Sequence, residues 1–100
     1  MEQIDRKFTF TGYCTEHQPV HQCNEFNAMI FLAKDICLPD LLDSYHSIAT
    51  IRGAKQKQLD GILLLRDRII AWQKLHPEEV KIPDVDEGYK GDYIIKANEK

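Results

Sequence analysis

Residues 56–75 carry more apolar side chains than one helix of a short chain ordinarily hides. At about 100° per residue, Leu59, Leu63 and Ile70 fall on one line, and Ile62, Leu65, Ile69 and Trp72 form a second beside it. The two stripes span about half the circumference, where a helix on a small core needs only about a third. Leu64 and Leu75 lie outside both. A 100-residue chain buries one modest core, so the surplus needs another cover. Either the rest of the chain supplies it, or a second copy does. The expectation is a homo-oligomer, with Leu64, Trp72 and Leu75 at its interface.

Arg66 and Gln73 sit between the stripes, seven positions apart on one line. An unpaired guanidinium is costly to bury, so Arg66 needs a partner such as Asp43, since Asp67 points elsewhere on the wheel. The competing reading is that Arg66 and Gln73, with Arg68, line a groove or seam for a small anionic ligand.

The helix before it is clearly punctuated. Pro39 suits a first turn, Asp40 favours the positive end of the dipole, and Gly53 is the expected left-handed residue past the end. Leu41, Leu42, Tyr45, Ile48 and Ala49 read as its packing stripe. The short link through Ala54 and Lys55 predicts an antiparallel helical hairpin over about 39–52 and 56–75. Upstream, alternation of Phe8 and Phe10 with Thr9 and Thr11 predicts a strand over 7–13. Residues 25–37 read as a short helix capped by Asn24 or as a strand, with helix preferred. The expected class is α+β, mainly α, with residues 1–76 as one globular domain and 77–100 as an extended acidic tail, packed on the domain or flexible from it.

Charge and composition exclude more than they assign. From Pro77 onward seven acids face four bases, so that segment carries the whole net charge of −3. Without a basic surplus, nucleic-acid binding is disfavoured. No apolar run reaches the length of about 18 residues that a membrane helix needs, and the polar start Met1-Glu2-Gln3-Ile4-Asp5 is unlike a secretory signal. Three cysteines cannot all pair within the chain, which suits reduced thiols in the cytoplasm. Cys14, His17, His21 and Cys23 place four zinc-type donors within ten residues, but the spacing matches no standard motif. The expectation is no cofactor, with a zinc-stabilised Cys/His module as the alternative. No glycine-rich phosphate loop, nucleophile elbow or H-E-x-x-H motif is present, so the chain reads as a non-enzyme.

The order of landmarks adds a resemblance. Phe31-Leu32-Ala33-Lys34-Asp35 is followed by Leu38-Pro39-Asp40-Leu41-Leu42 and Gly53-Ala54. Leu64-Leu65-Arg66-Asp67-Arg68, Trp72-Gln73 and Lys81-Ile82-Pro83-Asp84 complete the series. Over about residues 30–84 the chain resembles small accessory proteins encoded by bacteriophages and prophages. That resemblance implies an accessory or anti-defence factor in the host cytoplasm. Such a factor works by stoichiometric binding of a host protein, or by sequestering a nucleotide signal used in defence.

Overall fold

The computed structural model describes residues 2–16 and 22–83. The described residues fall into two compact units, one before Phe31 and one from Phe31 onward.

In the first unit, β1 (Thr11–Tyr13) pairs antiparallel with β2 (Gln22–Asn24), with Gly12 opposite Cys23. The strand expected over 7–13 is thus confined to its last three residues. Asp5 explains the loss. Its Oδ1 accepts the backbone N–H groups of Lys7 and Phe8, which bends the chain where a ladder would begin. Phe10 donates its N–H to the Glu25 carboxylate instead of to a strand.

The helix expected over 25–37 does not form, and neither does a strand. Asn24 acts as a turn residue and not as a helix cap. Its side chain accepts from the Phe26 N–H at 2.9 Å, and the Asn27 side chain accepts from the Asn24 N–H at 2.8 Å. The Glu25 carbonyl receives the N–H groups of Ile4 and Asp5, and Asp5 Oδ2 takes that of Ile30. These backbone groups find partners outside any i to i−4 ladder, so helix propensity has nothing to add.

The second unit is a helical hairpin with a clasp at its open end. Helix α1 spans Leu38–Ile51 and helix α2 spans Gln56–Leu75. Asp35 prepares α1, since its Oδ1 accepts the Cys37 N–H at 2.8 Å. Pro39 fits the first turn, where its missing N–H costs nothing. Gly53, at φ 87°, takes the left-handed conformation that ends α1. The start of α2 is half capped. Gln58 Oε1 accepts the Lys55 N–H at 2.9 Å, but the lysine side chain has no acceptor to return the bond.

Residues 77–83 of the segment expected as a tail are described. Pro77–Glu79 form a 3-10 turn, and Lys81 makes a parallel bridge to Asp35. The Lys81 N–H donates to the Lys34 carbonyl at 2.9 Å, and the Ile36 N–H donates to the Lys81 carbonyl at 2.8 Å. The acidic segment 84–100 lies outside the described residues.

The core is small. Leu38, Leu59 and Ile69 are the apolar side chains buried among the described residues, and all three belong to the hairpin.

Candidate functional site

The level at which the helices meet is set by Arg66. Its Nη1 donates to Asp43 Oδ1 of α1 at 2.5 Å, and its Nε and Nη2 donate to Asp67 Oδ1 at 3.1 and 2.8 Å. The expected partner Asp43 is present. Asp67 also closes on the guanidinium, because the long arginine side chain folds back along its own helix. The side-chain bonds to Asp43 and then Asp67 hold the Arg66 pKa above its ordinary value. Two carboxylates around one guanidinium leave this cluster net negative, a poor seat for an anion.

Gln73 faces the same way but is fully engaged as a donor. Its Nε2 donates to the Ala33 carbonyl at 2.9 Å and to the Asp35 carbonyl at 2.8 Å. It clamps the 33–35 segment onto α2. Arg68 lies on the opposite side of α2, is exposed, and does not converge with Arg66 and Gln73. Of the three residues expected around a small anion, the hairpin thus aligns two, and both contact the protein itself.

The three expected interface residues also separate. Leu64 and Leu75 are exposed along the back of α2. Trp72 is half-buried on a flank, its ring stacked on that of His76 at 4.2 Å. The His76 ring nitrogen Nδ1 lies 2.9 Å from the Trp72 carbonyl, where it caps the last turn.

The surface that sequence reasoning placed inside is the informative one. Leu41, Tyr45 and Ile48 were expected to pack, yet they are 44%, 55% and 54% exposed. Leu42 and Ala49 of the expected stripe are half-buried and form the inner line of α1 with buried Leu38. On α2, Leu65 is 42% exposed beside half-buried Ile62 and Trp72. The handedness of two antiparallel helices puts these two flanks on the same side of the hairpin. The Asp43–Arg66–Asp67 cluster occupies the other side. With Asp43 level with Arg66, the helix rise puts Tyr45 at the level of Leu65, Ile48 at that of Ile62, and Leu41 between Leu65 and Trp72. One side of the hairpin therefore carries the exposed apolar side chains Leu41, Tyr45, Ile48 and Leu65, with Arg52 continuing their line past the end of α1, and the ion-pair cluster lies on the other.

In the first unit, Gly12, Tyr13, Cys14, Gln22, Cys23 and Asn27 line an open depression of about 470 Å³. Gly12 makes room there, since a Cβ at this position would sit 2.8 Å from Cys23 Sγ. No disulfide joins Cys14, Cys23 or Cys37. His17 and His21 lie outside the described residues, so the four expected zinc donors are only half seen. Among the described residues no cluster of three or more metal-type donors occurs. Also among the described residues, no helix is long and apolar enough to cross a membrane.

Fold and surface together define a mainly helical α+β chain that presents an apolar hairpin face. Compared with protein-family models, curated proteins and solved structures, the chain matches none.

Proposed function

We propose that this chain is a small non-enzymatic binding protein, and that its working surface is the apolar face of the hairpin. The exposure of Leu41, Tyr45, Ile48 and Leu65 on one side carries the reading. Isolated exposed apolar residues are ordinary, whereas several gathered on one side of two helices mark an interaction surface. The landmark resemblance to phage accessory proteins agrees with stoichiometric binding, of a host protein as one target, and sets a phage-type anti-defence role beside it. Sequestration of a nucleotide-like anion is less well supported, because Arg66 and Gln73 spend their donors on Asp43, Asp67 and two backbone carbonyls.

Native mass spectrometry of freshly purified, untagged protein tests the reading. We expect a second polypeptide, identical or different, on the wild type and its loss from Tyr45→Glu with helix content unchanged. A wild type that stays at 11.6 kDa in the presence of cell extract would count against it.

A zinc-stabilised module remains a second reading, favoured by the way Cys14 and Cys23 line one depression around side-chain-free Gly12. It calls for about one equivalent of bound zinc and for chelator-induced loss of structure.

A further inference from the structure

We infer that the occupant of the apolar face is a second copy of this chain, packed so that two hairpins form an antiparallel four-helix bundle. This rests on the binding reading above and names the partner. Three observations on the hairpin carry it.

The first is the demand of folding itself. A two-helix layer needs a second layer to enclose a core. Here the hairpin buries only Leu38, Leu59 and Ile69. A cover that is always at hand suits so small a core. A second copy meets this condition by synthesis, and a partner of occasional supply does not.

The second is self-complementarity. Along the face the levels are Tyr45 with Leu65 and Ile48 with Ile62, while Leu41 falls between Leu65 and Trp72. A two-fold axis along the groove between α1 and α2 lays each α1 across the partner's α2 at the same level. Tyr45 then meets the partner's Leu65, Ile48 meets the partner's Ile62, and Leu41 falls between the partner's Leu65 and the partner's Trp72. Every helix lies antiparallel to its neighbours, which sets the helix dipoles favourably. The Arg66, Asp43 and Asp67 cluster stays on the outer side, and exposed Arg52, next on the line of Leu41, Tyr45 and Ile48, lies at the end of the seam past α1.

The third is area. Full burial of the part-exposed apolar side chains of the face would remove on the order of 500 Å² per copy, or roughly 1,000 Å² for the pair, the size at which a biological interface begins.

The test is light scattering coupled to size-exclusion chromatography, with isotope-filtered NMR on a sample mixed from labelled and unlabelled full-length chains. The wild type is expected at twice 11.6 kDa, with intermolecular contacts between the Tyr45 ring and Leu65 methyls. Tyr45→Glu is expected to weaken the dimer by roughly a hundredfold, as for the loss of a central aromatic anchor. Leu75→Glu, on the back of α2, leaves it a dimer. Contacts measured on the wild type keep the test decisive even where Tyr45→Glu fails to fold. A dimer without Tyr45–Leu65 contacts, or one that Leu75→Glu breaks, overturns the inference. A monomer that holds a different protein through Tyr45 overturns the dimer and leaves the binding reading standing. A monomer that holds nothing removes both.

Discussion

Asp5 shows how much one carboxylate can organise in a chain with little core. It is buried, and its two oxygens satisfy three backbone N–H groups, those of Lys7, Phe8 and Ile30, at 2.8–2.9 Å. The bonds from Phe8 and then Ile30 lower its pKa. The sign follows directly. A carboxylate with a depressed folded pKa contributes its full stabilisation above the ordinary carboxylate pKa and loses it as pH falls through the folded value. Acidification below about pH 4 is therefore expected to release the amides of Phe8 and Ile30, with the hairpin affected less. Residue-resolved hydrogen exchange against pH checks this, and Asp5→Asn should show the same release at neutral pH. Gln73 is the second such residue. Removing it leaves the carbonyls of Ala33 and Asp35 without these donors, so Gln73→Ala should cost about 1–3 kcal/mol in denaturant unfolding. A substitution that instead left stability unchanged would mean water replaces the amide fully. Arg66→Ala should give only a small, salt-sensitive loss of stability, as expected of a partly exposed pair.

At the scale of elements, the hairpin was legible because its signals are local. Pro39, Gly53 and the apolar periodicity of α2 act within a few residues, and the observed helices match the expected bounds to within one residue at each end. The segment 25–37 was not legible for the opposite reason. Its backbone is satisfied in part by Asp5, Gln73 and Lys81, at separations of 25 to 47 residues, which no window of neighbours reveals. The stripe of α1 was read at the right spacing but rotated, with Leu41, Tyr45 and Ile48 placed inside. Periodicity fixes which residues share a side, whereas the position of α2 decides which side is covered. Gly61 offers a clean probe of α2. A Cβ there meets nothing within 4 Å, so Gly61→Ala should raise stability by about 1 kcal/mol through helix propensity alone. Thermal unfolding of the variant checks it, and destabilisation would indicate that another chain approaches α2 at this point.

At the scale of the whole molecule, the balance between a small core and a large apolar face sets the expected behaviour. If two copies share that face, the melting temperature should rise with protein concentration, because mass action favours the associated state. Calorimetry over a hundredfold concentration range measures this, and a constant melting temperature with unchanged unfolding enthalpy would contradict it.

The sequence by itself determined the class, the two helices, their link and the surplus of apolar surface on α2, because these follow from periodicity, capping and composition. Only the tertiary structure decided that Arg66 is neutralised by Asp43 and Asp67, that Gln73 clamps backbone, and that the uncovered surface combines Leu41, Tyr45 and Ile48 with Leu65. Those outcomes depend on which helix flanks meet, and a helical wheel carries no information about its neighbour.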